Sequence, residues 1–386
     1  MTTLYTPTSA SSAHPAPSAE TAPYLGPNWF ASVMGTGIVA TAGATIPFRV
    51  PGLHLFTLGV WEVATVLLLV LSVAFVAHWI AQPRAARRYH LDPTLIQFYG
   101  APPMAFLTVG AGALLVGRSV LGTSLAVSLD WVLWSLGTLT GLVSAVAVPF
   151  RLFTSLEVRA DSAFGGWLMP IVPPMVSAAT GALLISHLGS PGARALLFYS
   201  CYAMFGLSLI VSFIVITLIW SRLAHFGSSG TVRVPTLWIV LGPLGQSVTA
   251  LGLLGANATV AVAPPFARGF AFLSVAAGVP IWGFAVLWIA LALALTLRTA
   301  RRRLPFHLTW WSFTFPVGTF VTGTTRLALA SHLYAFHVAA GISYLGLLGA
   351  WLLVATQTTR HLVARRLLAT PVVVSPGPEA RKSVAA

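Results

Sequence analysis

The sequence predicts an all-α integral membrane protein of ten transmembrane helices, arranged as five helical hairpins around a central pore. Three observations predict it. The 386 residues are 57% hydrophobic and only 7% charged, against about 25% charged in soluble domains. The charges fence off ten windows nearly free of charge, of roughly 20 residues or more, the length needed to cross about 30 Å of hydrocarbon. Helix-breaking residues recur along the chain with a period near 70 residues.

Residues 1–26 are rich in Ser, Thr, Ala and Pro and lack Lys and Arg. They have neither the basic nor the apolar region of a secretory signal and are expected to form a disordered cytoplasmic tail. The membrane domain is expected over 27–360, followed by a cytoplasmic tail at 361–386. Its predicted helices cover 27–46, 56–82, 95–117, 129–150, 167–188, 194–222, 235–257, 268–297, 307–329 and 331–359. With both tails cytoplasmic, 16 of the 21 Lys and Arg fall on the inner side, among them Arg84, Arg87, Arg88, Arg151 and Arg298. This asymmetry follows the positive-inside rule. It accounts for the +14 net charge without nucleic acid, which is not expected as a partner. The expected location is the plasma (inner) membrane, multi-pass.

The odd-numbered helices carry the breakers. These are Gly35 and Gly37 in the first, Pro102 and Pro103 in the third, Pro170, Pro173 and Pro174 in the fifth, Gly242, Pro243 and Gly245 in the seventh, and Pro316 and Gly318 in the ninth. Pro103, Pro173 and Pro243 are spaced by 70 residues, and Pro316 follows after 73. A fixed period marks a repeated unit, here one helical hairpin taken five times. A mid-helix proline frees a carbonyl, and only a neighbouring helix or a watery cavity can satisfy it. The broken helices are therefore expected inside, around a channel, and the aliphatic even ones outside, against lipid.

The inner helices offer hydroxyl and amide groups such as Ser32, Thr36, Thr108, Ser177, Thr180, Gln246, Ser247, Thr249, Thr314, Thr319 and Thr322, and no Asp or Glu. Cation pores use carboxylate rings, whereas anion pores use basic groups and dipoles. The expected substrate is thus a small anion. The pore-lining or kink candidates are Gly35, Thr36, Gly37, Pro103, Pro173, Pro243, Gln246, Phe313, Thr314, Pro316 and Thr319. Arg326 either attracts anions at the mouth or snorkels to the interface. His332 and His337 are structural or pH-sensing. Glu62 is the one acid placed within a span, as a functional group or one solvated at the interface. Cys201, the single cysteine, reads as a buried apolar residue. No metal or cofactor is expected, nor an enzyme, because few acids and no HExxH or GxSxG pattern are present.

Several stretches resemble the tellurite-resistance/dicarboxylate transporter family. They are Pro27-Asn28-Trp29-Phe30-Ala31-Ser32-Val33-Met34-Gly35-Thr36-Gly37-Ile38, Phe98-Tyr99-Gly100-Ala101-Pro102-Pro103-Met104, Trp167-Leu168-Met169-Pro170-Ile171-Val172-Pro173-Pro174, Gly242-Pro243-Leu244-Gly245-Gln246 and the WWSFTFPVGTF stretch at 310–320. The WFASVMGTG opening and Pro316 bring the chain closer to the malate permease and sulfite efflux branch. The resemblance implies five hairpins around a pore, often in a trimer, and passage of C4-dicarboxylates, sulfite or other small anions. It also implies a phenylalanine that occludes the pore. The W-x-F-x-F pattern places that role on Phe315 and turns Phe313 elsewhere. Two alternatives remain open at this level: a proton-coupled carrier of a monoanion or weak acid, and a non-transporting sensor or scaffold.

Overall fold

The computed structural model describes residues 25–228, 230–301 and 304–364. Residues Leu25–Arg360 form one compact unit. The tails expected at 1–26 and 361–386 lie outside the described residues, save for 25–26 and 361–364. The regular structure is all helical, with no strand among the described residues. Its main helices are α1 (Phe30–Thr45), α2 (Leu53–Ala81), α3 (Ala101–Gly112), α4 (Thr123–Thr154), α5 (Pro173–Leu184), α6 (Pro191–Phe226), α7 (Leu241–Ala261), α8 (Pro264–Ala300), α9 (Phe315–Ser331) and α10 (Tyr334–Val363).

Seven helical stretches are long and apolar enough to cross a membrane: α2, α4, α6, α8, α10 and the extended segments Leu95–Leu121 and Gly230–Ala261 that contain α3 and α7. The α-helical parts of α1, α5 and α9 are shorter, at 16, 12 and 17 residues. The reason is local. Short 3₁₀ turns precede α1, α3, α7 and α9, at Pro27–Trp29, Leu95–Gly100, Val234–Val240 and Leu308–Phe313. Another, Gly165–Leu168, lies just ahead of α5.

This corrects the expectation of mid-helix kinks. Pro102 and Pro103 stand in the first turn of α3, Pro173 and Pro174 open α5, Pro243 is the third residue of α7 and Pro316 the second of α9. A first-turn proline lacks an N–H that would be unpaired anyway, and its fixed φ suits the helix start. The prolines therefore begin α-helices after 3₁₀ turns. Gly35 and Gly37 do not break α1 either, which runs unbroken past both. They are notches into which neighbours pack.

Burial separates two groups of helices. In the segments containing α3 and α7, 67% and 89% of the apolar window is buried, against 17–33% in α2, α4, α6, α8 and α10. The latter expose large apolar side chains such as Leu69, Val73, Val143, Ile210, Leu293 and Leu345. An apolar face this extensive has no counterpart on a water-solvated monomer. Lipid tails solvate it without cost. Among the buried helices, α1 touches α3, α3 touches α5, α5 touches α7, α7 touches α9, and α9 returns to α1. The contacts thus close a cycle. In addition, α1 packs on α2, α3 on α4, α5 on α6 and α7 on α8. On the remaining side α10 is tied to α1 by side chains: Tyr344 Oη donates to the Val39 carbonyl at 3.2 Å and Trp351 Nε1 to Thr36 Oγ1 at 3.2 Å.

Small residues set the closest approaches. A Cβ at Gly245 of α7 would fall on the Thr319–Phe320 backbone of α9, and one at Gly323 of α9 on the Gly245 carbonyl. Between these notches Thr319 Oγ1 donates to the Leu241 carbonyl at 3.0 Å, and the Thr249 and Thr322 hydroxyls share a 2.8 Å hydrogen bond. Membrane helices, which have no hydrophobic drive toward one another, associate through such close backbone contact and interhelical hydrogen bonds.

Candidate functional site

Two small cavities lie among the five buried helices, and Phe315 lines both. Phe315 is the first residue of α9 and is 2% exposed.

The first cavity has a volume of about 50 Å³. It is lined by Thr41 and Thr45 of α1, Thr108 of α3, Thr180 of α5, Gln246 and Thr249 of α7, and Thr322 and Arg326 of α9, with aliphatic residues between them. Most of its hydroxyls spend their proton within the protein. Thr108 donates to the Met104 carbonyl at 2.6 Å and Thr180 to the Val176 carbonyl at 2.9 Å. Such hydroxyls turn lone pairs toward the cavity. The donors left for a negative ligand are therefore Gln246 and Arg326. The Gln246 amide is 4% exposed and donates to no protein group among the described residues. The Arg326 guanidinium has no carboxylate partner among them either. Gly252 makes room for the Arg326 stem, since a Cβ there would meet Arg326 Cβ and Cγ.

The second cavity, about 20 Å³, is almost wholly apolar. Met34, Met104, Met169, Ile239 and Pro316 contribute to it, one or more from each of the five buried helices or the turn leading into it. A cavity needs about 10–15 Å³ to hold one water. The hydroxyl-rich cavity therefore has room for a few waters and the apolar one for a single water, and Phe315 borders both.

The residues singled out in the sequence do not all gather here. Phe315, Gln246, Pro316 and Arg326 line the cavities. Thr36 instead accepts from Trp351 on α10. Thr319 donates to Leu241 and Pro316 carbonyls, and Thr314 to the Trp311 carbonyl at 2.7 Å. Gly35 receives Trp311 and Thr314, and Gly37 receives Thr108. Pro103 and Pro173 pack into the α4 notch at Gly141, while the Pro243 carbonyl accepts from Ser247 at 2.6 Å. Phe313 packs edge-on against Trp238 at 5.8 Å and Trp310 at 5.9 Å, and lines neither cavity. Glu62 is exposed on α2, and His332 is exposed at the end of α9.

Two features escaped the sequence reading. Thr41 and Thr45 continue the face begun by Ile38; the i, i+3, i+7 spacing was the available signal. The predicted helix 129–150 sets Asp130 at its edge. In the structure α4 begins at Thr123, seven residues earlier, and carries Asp130 inward. Asp130 is 0% exposed, its carboxyl lies against Gly110 of α3, and neither oxygen has a hydrogen-bond partner among the described residues. Asp130, and not Glu62, is the acid buried within a span.

Lipid-facing outer helices around a buried cycle of helices with cavities along it define a multi-pass membrane protein of the channel and transporter class. The chain belongs to the voltage-dependent anion channel family, which matches residues 24–359. Among relatives, it is 26% identical over 347 residues to a sulfite efflux pump of Arthroderma otae, covering 88% of this chain and 92% of that protein. It is 27% identical over 329 residues to an uncharacterized transporter of Methanocaldococcus jannaschii, covering 85% and 88%. To the malic acid transport protein of Schizosaccharomyces pombe it is 22% identical over 356 residues, covering 88% and 79%.

Proposed function

We propose that this protein moves small anions, sulfite or a C4-dicarboxylate such as malate, along the axis enclosed by α1, α3, α5, α7 and α9, with the Phe315 ring as the obstruction. The observation that carries the reading is that Phe315 lines two otherwise separate cavities, each walled by all five buried helices or the turns leading into them. A bulky ring at such a narrowing gates by steric block and dewetting. Ten spans in five hairpins, both termini on the basic cytoplasmic side of the plasma membrane, and a homotrimer complete the proposal. The cycle of helix contacts and the distribution of Lys and Arg support the first two parts. Purified protein in proteoliposomes is expected to pass labelled sulfite or malate faster than protein-free liposomes do, and native mass spectrometry is expected to find three copies.

Arg326 supplies the cavity's one formal charge. Removing a unit charge a few ångströms from an anion forfeits about 1–4 kcal/mol at intermediate dielectric. Arg326→Gln is expected to lower flux by roughly tenfold, more for malate than for a monoanion, and Arg326→Lys to recover part of it. Equal flux in wild type and Arg326→Gln would assign Arg326 to interfacial anchoring.

One observation favours proton coupling as a second reading. Asp130 is a carboxyl without partners inside a span, and an intramembrane acid is a functional-site hypothesis by default. It backs the segment of α3 whose Thr108 and Ala111 line the first cavity. On this reading an imposed pH gradient accelerates flux in wild type, and Asp130→Asn abolishes that dependence while leaving gradient-free flux in place. A pH gradient without effect on wild type dismisses coupling.

A further inference from the structure

An opening much larger than either cavity lies off the proposed path. It is a groove of about 680 Å³ between α2 and α4, floored by the first turn of α3 and the start of α1. Its walls are apolar and lipid-facing: Val76, Leu139 and Val143 are 56–66% exposed. Its depth is furnished by Phe75, Pro102 and Phe106. This volume falls within the range of small-ligand sites, about 300–1,000 Å³.

One end of the groove has a different chemistry. There it reaches Arg151 in the last turn of α4, His90 in the loop after α2, and Tyr99 at the entry to α3. The His90 and Tyr99 rings are 5.0 Å apart. Arg151 Nε, Tyr99 Oη and, deeper in, Ser72 Oγ are buried without a hydrogen-bond partner among the described residues. Such orphaned groups cost free energy unless something satisfies them. Among the described residues no acid pairs with Arg151: the salt bridge at this end joins Arg159 to Asp161, and the Asp92 carboxylate accepts the Thr94 and Leu95 N–H groups. Burial, and then the Arg151 charge, hold the His90 imidazole below its ordinary range, so at neutral pH it is an uncharged partner beside one cation. Arg84, Arg87 and Arg88 follow α2 at the same end. An apolar trough ending in a cation and unpaired hydroxyls, at the basic end of the spans, matches an amphiphile with a tail and an anionic head.

We propose that this groove binds an anionic phospholipid of the cytoplasmic leaflet, its phosphate held by Arg151 and Tyr99 and one acyl chain lying between α2 and α4. Charge complementarity selects this occupant. Juxtamembrane arginines attract anionic headgroups, whereas a second copy of this strongly basic chain offers few acids to meet Arg151.

The test uses the full-length protein in phosphatidylcholine nanodiscs doped with phosphatidylglycerol that carries a photoreactive diazirine on its acyl chain. Crosslinks are expected on residues 139–148 and 102–106. Unlabelled phosphatidylglycerol should suppress them, whereas neither unlabelled phosphatidylcholine nor millimolar inorganic phosphate should. Arg151→Gln is expected to reduce labelling about fivefold, as befits the loss of one headgroup contact, and Arg151→Lys to retain most of it. Competition by phosphatidylcholine equal to that by phosphatidylglycerol would overturn headgroup recognition. Displacement by phosphate alone would point to a free-anion site and overturn the lipid. Crosslinks to another copy of the chain in place of lipid would make the groove an interface. The competition arms run on wild type, so a poorly folding Arg151→Gln leaves the proposal decidable.

Discussion

Phe315→Ala is expected to raise anion flux by about tenfold or more. Phe315 is the one residue lining both cavities, and removing its ring is expected to merge them. Nothing else bulky is shared between them. Below the ring the lining is methionine and aliphatic, which disfavours water and ions while the passage is narrow; widening it relieves the dewetting barrier along with the steric one. Phe→Ala in a packed core ordinarily costs about 3–5 kcal/mol. Phe315 borders two cavities, so its loss is expected to cost less. A thermal melt of the purified variant checks that the flux change is not a folding change. Phe313→Ala provides the contrast: its ring packs on Trp238 and Trp310, away from both cavities, and its removal is expected to lower stability with little gain in flux.

Gly245→Ala is expected to be among the most damaging single-methyl additions in the protein. The new Cβ would meet backbone atoms of Thr319 and Phe320, which no rotamer change can move. Helix α9 would have to retreat from α7, straining the Thr319 to Leu241 and Thr249 to Thr322 hydrogen bonds. Overpacking of this kind costs about 1–3 kcal/mol and at times more. Gly242→Ala, three residues earlier on the same helix, has nothing within 4 Å of its added Cβ and is expected to be nearly silent. The pair is read by melting temperature and by yield of monodisperse protein. Equal behaviour of the two variants would mean that α7 and α9 are not held at this backbone contact.

The division into buried and lipid-facing helices was legible because it is written in composition. Segments such as Leu53–Ala81 are dominated by Leu, Val and Ala, while the segments holding Pro103, Pro173, Pro243 and Pro316 are rich in small and hydroxyl residues. The period of those prolines was legible too, but their geometry was not. A proline in the middle of an apolar window reads as a kink unless the 3₁₀ turn ahead of it is recognised, and that turn has the same apolar composition as the helix. The site was only partly visible. Phe315 and Arg326 stand out as an aromatic beside a breaker and as a lone charge. Which threonines face the axis depends on the rotation of each helix. The inner helices are buried on all sides, so no polar face marks their orientation. Thr36 and Thr319, chosen by residue type, went to helix–helix hydrogen bonds. Asp130 was missed because a charge near a window's end reads as its boundary. Only the packing of α4 on Gly110 shows that it is buried.

The central claim is that small anions cross along the axis of the five buried helices. The most direct test is electrogenic flux through the purified protein in proteoliposomes, with a panel of chloride, nitrate, sulfite, malate and succinate. The account predicts flux of sulfite or malate above protein-free liposomes, charge movement of the sign carried by an anion, no passage of potassium, and a rise of each permitted flux in Phe315→Ala. A panel in which wild type and Phe315→Ala pass no anion faster than bare liposomes, or pass potassium equally well, would contradict it.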